Sequence, residues 1–191
     1  MRIVVLNHLT LDGVMQSPGR PDEDTRDGFA HGGWAADRVD EVIGAELGKR
    51  MAASGGLLFG RRTYDDVLSY WNTQDSPFKD ALNNASKYVV STTATEPLPW
   101  PNSTLIADDP VVAIGELKRT DGKDLHVMGS GELIQTLMAA NLIDEWALLI
   151  HPIVLGSGRR LFPDAGVPAA LRLVESVMSP SGVLVATYQP A

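Results

Sequence analysis

The chain has 191 residues, 44% of them hydrophobic, with a formal net charge of −8 and no cysteine. That length fits one domain spanning residues 1–191 around a conventional core. The missing cysteines exclude disulfides, thiol nucleophiles and cysteine-ligated zinc, and the negative charge argues against a broad nucleic-acid surface. A few local arginines can still hold an anion against that field. The N-terminal apolar run Ile3-Val4-Val5-Leu6 is broken by Asn7 and His8, too soon for a signal peptide. No stretch reaches the ~20 apolar residues of a membrane helix. The expectation is a cytoplasmic protein with neither a membrane nor a nucleic-acid partner.

Ile3–Leu6 reads as a buried strand. Residues 16–33, rich in Gly, Pro, Asp and Arg, read as an irregular loop. The acids from Asp22 to Asp27 within it fit a solvated loop better than a calcium site, because their spacing misses the EF-hand pattern. Val39, Val42, Ile43, Leu47 and Met51 recur at helical spacing and predict a helix from about Ala35 to Ala53. A second strand, Gly56–Phe59, leads into a helix reaching about Trp71, and a shorter helix spans about Phe78–Ala85. Tyr88–Val90 is a third strand, Pro97, Pro99 and Pro101 mark turns, and Thr104–Ile106 is a short strand. Asp108 or Asp109 caps a helix that starts at Pro110 and ends near Arg119. Leu125–Met128 is a further strand and Glu132–Ala140 a further helix. The tail changes character: Ala147–Ile150, Leu171–Val174 and Val183–Val185 are strand-like, with Gly- and Pro-rich turns between them. Alternation of β and α followed by a β-rich tail predicts an α/β fold, a mainly parallel, helix-flanked sheet with antiparallel strands at one edge.

Three strand-to-helix junctions carry small or polar residues: Gly60-Arg61-Arg62-Thr63, Ser91-Thr92-Thr93 and Gly129-Ser130-Gly131. Glycine permits a tight turn, the first N–H groups of a helix face outward, and arginine offers a charged fork for phosphate. Such junctions gather at the carboxyl ends of strands, where ligands of α/β sheets bind. One junction is commonly only a turn; three together favour an extended, phosphate-bearing ligand such as a dinucleotide. The G-x-G-x-x-G fingerprint, the P-loop and the Gly-x-Ser-x-Gly elbow are all absent.

Thr10-Leu11-Asp12-Gly13 is either a simple turn or a loop over a reacting ring with the Asp12 carboxylate available to it. Trp34, Tyr64, Trp71 and Trp146 are flat enough to stack on a ligand, although aromatics are more often core. Trp34, beside a Gly pair, and Trp71, near a helix end, are the better pocket candidates, and Trp146 reads as packing. His8, His31, His126 and His151 lack metal-ligand spacing, so no metal is expected, and His126 and His151, in strands, read as structural. Pro152 through Phe162, with Gly156, Gly158, Arg159 and Arg160, forms a positively charged loop. It is either a hairpin connection or a wall of the ligand site.

Taken in order, Thr10–Gly13, Phe59–Tyr64, Lys87–Ser91, Gly129–Leu133, Leu142–Glu145 and Pro152–Phe162 resemble the dihydrofolate-reductase-like superfamily. They are most similar to stand-alone proteins like the reductase domain of the bifunctional riboflavin-biosynthesis deaminase–reductase. The resemblance implies a three-layer fold, a central mostly parallel sheet of about eight strands with antiparallel C-terminal edge strands and helices on both faces. It implies NADPH extended across the strand ends. Gly60, Arg61, Arg62 and Thr63 would meet its phosphates, and Ser91, Thr92 and Thr93 would lie near the adenosine 2′-phosphate. Gly129, Ser130, Gly131, Glu132 and Leu133 would approach the pyrophosphate and ribose, while His8 and the loop Asp12–Met15 would flank the nicotinamide. The implied activity is hydride transfer to a C=N or C=O bond of a small substrate, a pterin or a ribosylaminopyrimidine, as in dihydrofolate reductase or 5-amino-6-(5-phosphoribosylamino)uracil reductase. Asp12 is the candidate catalytic group, and Asp12, Trp34, Tyr64, Trp71, Gly156 and Gly158 are the candidate substrate contacts. Dihydrofolate reductases carry a pterin-binding acid on their first helix; here Asp37 and Glu41 fall early in the expected helix, but nothing in the sequence fixes their facing, so the chain departs from the folate pattern at this point. The alternative is a nucleotide-binding or regulatory protein that keeps the fold without reductase activity. A homodimer is expected, because the β-rich tail leaves strand edges that pairing would cover.

Overall fold

Apolar runs of four to six residues alternate with amphipathic segments, and the computed structural model turns them into strands and helices; it describes residues 1–164, 166 and 168–191. The strands are β1 (Ile3–Thr10), β2 (Gly56–Gly60), β3 (Lys87–Val90), β4 (Ser103–Ile106), β5 (Leu125–Met128), β6 (Glu145–His151), β7 (Leu171–Met178) and β8 (Leu184–Pro190). The helices are α1 (Glu41–Ala53), α2 (Arg61–Asn72), α3 (Pro77–Asn84), α4 (Pro110–Arg119) and α5 (Gly131–Ala139). The strands form one eight-stranded sheet in the order β4-β3-β2-β5-β1-β6-β8-β7. β2 pairs in parallel with β3 and β5, and β3 with β4, whereas β8 is antiparallel to both β6 and β7. The expected mixed α/β sheet with antiparallel C-terminal strands is therefore the observed fold. No helix among the described residues is long and apolar enough to cross a membrane.

The chain divides into two units. One comprises Met1–Val4 and Met51–Ile143, the other Val5–Arg50 and Asp144–Ala191. In the first, Leu57 and Phe59, two apart on β2, share a sheet face and pack with Tyr64 and Leu68, four apart on α2, and with Leu82 and Val89. Helix starts here follow local chemistry. Ser76 caps α3 and Asp109, rather than Asp108, caps α4, each with a proline in the first turn. The end of α3 is closed by Lys87, whose buried ammonium donates to the carbonyls of Leu82 and Ala85 at 2.6 and 2.7 Å.

The second unit holds a cluster of Val14, Phe29, Trp34 and Ala35, with Ile153 and Leu155 against it. The sequence reading needs two corrections here. The first helix begins at Glu41, not Ala35. The Asp40 carboxylate accepts the Ile43 N–H at 3.1 Å and the Ser181 N–H at 3.0 Å, which stops the helix short, and residues 36–38 form a separate 3₁₀ turn. Val39 matched the helical spacing but is 53% exposed. β1 also continues past Leu6 to Thr10, with Asn7 buried within it. A polar residue ends an apolar run in sequence, but it does not end a strand when partners exist on both sides.

Candidate functional site

The first unit brings the three junctions together. β3, β2 and β5 are parallel neighbours, so the turns at their carboxyl ends, Ser91–Thr93, Gly60–Thr63 and Gly129–Gly131, lie side by side. Ser130, the N-cap of α5, is in the left-handed region at φ 53°, preceded by Gly129 at φ 55°. A non-glycine residue there costs roughly 1–2 kcal/mol, and hydrogen bonds hold it. Ser130 N–H donates to Thr63 Oγ1 at 2.9 Å, its hydroxyl accepts the Gly60 N–H at 2.9 Å, and it donates to the Met128 carbonyl at 2.8 Å. A Cβ on Gly129 would lie 2.7 Å from Thr63 Cγ2, so the close approach requires glycine.

Arg61 joins the other pair of junctions, donating from Nη1 to Thr93 Oγ1 at 3.1 Å while its Nε meets Asp65 at 3.2 Å. The Arg62 side chain is exposed and has no partner among the described residues. Side chains cap α3 and α4, yet none caps α2 or α5. Two neighbouring helix N-termini thus keep their positive ends open to an anion. Some candidates serve the scaffold instead. The Thr63 hydroxyl is bound to Ser130, and the Ser91 hydroxyl accepts the N–H groups of Thr93 and Ala94 at 3.2 and 3.0 Å. Leu133 is buried in α5, while Thr92 and Glu132 are exposed. Tyr64 is fully buried, its hydroxyl bonded to Ser103 Oγ at 2.9 Å, so it is core and not a pocket wall. Trp71 packs edge-on to Phe78 near the far end of α2, about 15 Å along the helix from Arg61 at 1.5 Å per residue, and so lies away from the junctions.

In the second unit, Thr10–Ser17 and Ile153–Leu161 zip together. Leu11 N–H donates to the Ile153 carbonyl, Met15 N–H to Arg159 O and Leu161 N–H to Gly13 O, each at 2.9–3.1 Å. Asp12 is the clasp. Its carboxylate accepts Thr10 Oγ1 at 2.6 Å and the N–H groups of Leu155 and Gly156 at 3.2 and 2.8 Å. These bonds, that of Thr10 first, hold its pKa down to about 2. An acid this firmly ionised and committed is a poor proton donor, so the structure moves Asp12 from catalyst to loop anchor. Gly156, at φ 76°, faces open space, whereas a Cβ on Gly158 would meet Phe29 and Val14 at 2.7 Å. Gly158 also lines a cleft of about 220 Å³ with Gln16, Arg26, Asp27 and Phe29. Trp34 is 6% exposed, its Nε1 donating to the Gln16 carbonyl at 2.8 Å, so it presents no free face for stacking. Trp146 is buried in β6, as its strand setting predicts. Of the loop acids, Asp24 pairs locally with Arg26 and Asp27 pairs with the sequence-remote Arg159, and no group of His, Asp or Glu among the described residues is arranged to hold a metal.

The pattern missed one constellation. His8 Nδ1 lies 2.9 Å from His151 Nε2, and Trp34 stands edge-on to the His151 ring at 5.2 Å between centroids. Burial, with the charge of the partner ring, lowers the His8 pKa to about 3; burial, with the charge of Arg38, lowers that of His151 to about 4. Both rings are therefore neutral at physiological pH. The signal available in sequence was only that each histidine sits in an otherwise apolar strand.

An α/β protein with a mixed eight-stranded sheet and a row of open strand-to-helix junctions is what the fold and the site define, and the fold is that of dihydrofolate reductase. Residues 2–185 match the model of the RibD C-terminal domain, and the chain belongs to that family. The uncharacterized protein YyaP of Bacillus subtilis (strain 168) is 31% identical over 138 residues, 69% of this chain and 72% of its own. A Shewanella sp. PV-4 protein, provisionally named a riboflavin biosynthesis protein, superposes with TM-score 0.72 at 25% identity, covering 100% of this chain and 99% of the other. Dihydrofolate reductase from Enterococcus faecalis, solved with NADP(H), shares the fold at TM-score 0.62 and 13% identity, over 99% and 96% of the two chains.

Proposed function

We propose that the protein is an NADPH-dependent reductase acting on a C=N or C=O bond of a small heterocycle. The observation that carries this reading is the row of three junctions on adjacent parallel strands, with the uncapped N-termini of α2 and α5 among them. Arg62 and the helix termini would bind phosphate. Arg61, which donates to Thr93, would favour the extra 2′-phosphate of NADPH over NADH. Glu132, an acid in the first turn of α5, suits ribose hydroxyls rather than phosphate. When bound, the reduced nicotinamide would supply a hydride to an electrophilic carbon. The protein's share is to orient the reactants and to exclude water.

Family membership supports a reductase, and a Thermotoga maritima relative in fold carries 5-amino-6-(5-phosphoribosylamino)uracil reductase in its name, although this chain matches only 56% of it. Asp37 and Glu41 are both exposed, so neither is placed as a buried carboxylate gripping a pterin. That favours a pyrimidine-type substrate. The test is a tryptophan-fluorescence titration with NADPH and separately with NADH, followed by NADPH oxidation with ribosylaminopyrimidine and pterin acceptors. NADPH-preferring binding and turnover are expected. Equal affinity for both cofactors would remove Arg61 from the role, and binding without turnover would move the protein to a regulatory one.

A further inference from the structure

We infer that Asp65 and Thr93 are positioning residues that hold Arg61 ready for a phosphate monoester, so that this doubly anchored arginine, and not its neighbour Arg62, discriminates NADPH from NADH. The inference rests on the reductase reading for its ligand. All of its residues lie in the one unit that carries the three junctions.

Gly60 and Val90 are register partners on β2 and β3, so Arg61 and Ser91 leave the sheet level with one another. Ser91 is buried, and its hydroxyl accepts the N–H groups of Thr93 and Ala94. That turn fixes the Thr93 hydroxyl, which accepts Arg61 Nη1–H at 3.1 Å. From the other side Asp65, one turn further along α2, accepts Arg61 Nε–H at 3.2 Å. A guanidinium has five N–H donors; the anchors take two, and no other contact among the described residues claims the remaining three. Nη2 keeps both of its hydrogens and Nη1 keeps one. Donors on two adjacent nitrogens suit two oxygens of a single terminal phosphate. A ribose 2′-hydroxyl offers one oxygen and no charge.

The anchors act by ordering the side chain in advance. A free arginine loses its rotamer freedom when it binds, whereas Arg61 has lost much of it already. Arg62, exposed and without a partner among the described residues, bears the whole cost on meeting any phosphate. The Arg61–Asp65 pair is weak alone, because its side chains are 45% and 47% exposed. With Thr93 it holds the guanidinium at two separate nitrogens, which a single contact would leave free to swing. Asp65 also sets a negative charge near an incoming phosphate, but water and salt screen that repulsion at an exposed site. Orientation is the larger effect, and Asp65 strengthens 2′-phosphate binding in spite of its sign.

Adenosine 2′,5′-bisphosphate and adenosine 5′-monophosphate differ by the 2′-phosphate alone. Calorimetric titration with these two, beside NADPH and NADH, tests the inference without turnover. The wild type is expected to prefer the bisphosphate and NADPH. Asp65→Ala is expected to weaken these two about 2- to 10-fold, the cost of ordering one long side chain, and to leave the other two unchanged. Asp65→Asn, which keeps an oxygen for Arg61 Nε–H, recovers most of the preference. Arg61→Ala abolishes it, while Arg62→Ala weakens all four ligands together. In the ligand-free protein the ¹⁵N signal of Arg61 Nε–H is expected to be rigid in the wild type and mobile in Asp65→Ala. A preference that survives Asp65→Ala undiminished, or grows, would overturn the inference alone, and so would equal mobility of Arg61 in the two proteins. Equal loss of all four ligands in Asp65→Ala would make Asp65 merely structural. A wild type that binds none of the four would overturn the reductase reading and this inference with it.

Discussion

Thr63→Val removes one hydroxyl and nothing else of consequence: valine keeps the branched shape, and the residue stays in the first turn of α2. The structure says what that hydroxyl does. It accepts the N–H of Ser130 at 2.9 Å, and Ser130 is 8% exposed and sits in the left-handed region. The variant leaves that N–H buried against a methyl group, a loss of about 1–3 kcal/mol. For a chain of this length each kcal/mol moves the midpoint by ~2–4 °C, so a Tm lower by roughly 2–12 °C is expected. Urea unfolding followed by fluorescence supplies the free energy. Relaxation of the Ser130 turn also releases the Gly60 N–H that its hydroxyl holds, so the junctions of β2 and β5 loosen together, and on the proposed reductase reading NADPH affinity is expected to fall several-fold. Thr63→Ser keeps the oxygen and is expected to retain most of both properties. A Thr63→Val protein within ~0.5 kcal/mol of wild type, the range of an ordinary surface substitution, would refute the argument. So would a Thr63→Ser protein damaged equally.

Gly156→Ala and Gly158→Ala form a matched pair, both at positive φ. The first meets open space and should cost about 1 kcal/mol of backbone strain; the second also drives a methyl into Phe29 and Val14 and should cost about 2–4 kcal/mol, strain plus overpacking, so equal melting points would contradict the assigned packing. The histidine pair sets an acid limit. Folded pKa values of about 3 and 4 lie below the ordinary 6.5, so the unfolded chain binds more protons beneath pH 6.5. Stability is whole above that pH and falls as pH drops toward 4, by up to ~1.4 kcal/mol per pH unit for each ring; His151→Phe should flatten the slope seen in urea titrations at stepped pH, and an unchanged slope would sink the assignment. β7 is an edge strand with Leu173, Val174 and Met178 exposed at 52%, 47% and 63%. If copies of the chain pair along it, sedimentation should report a dimer that Val174→Lys converts to a monomer, and a monomeric wild type would end that proposal.

Much of this protein was legible in order and spacing. The alternation of apolar strands with amphipathic helices, Asp109-Pro110 at a helix start, and the three polar junctions are local chemistry, and local chemistry survives in a linear string. Hydrophobic period distinguishes strand from helix whatever the rest of the chain does. Tertiary structure decided the questions that depend on a partner remote in sequence. Asp12 changed from candidate catalyst to clasp because Leu155 and Gly156, more than 140 positions away, donate to it. Tyr64 and Trp34 became core because a Ser103 hydroxyl and a Gln16 carbonyl stand where their polar ends point. His8, read as a neighbour of the nicotinamide, and His151, read as structural, had no visible connection until the fold set their rings 2.9 Å apart. A side chain's role depends on what desolvates it and what it bonds to. Sequence spacing carries the periodicity of an element, but not the identity of the atoms that the fold brings against it.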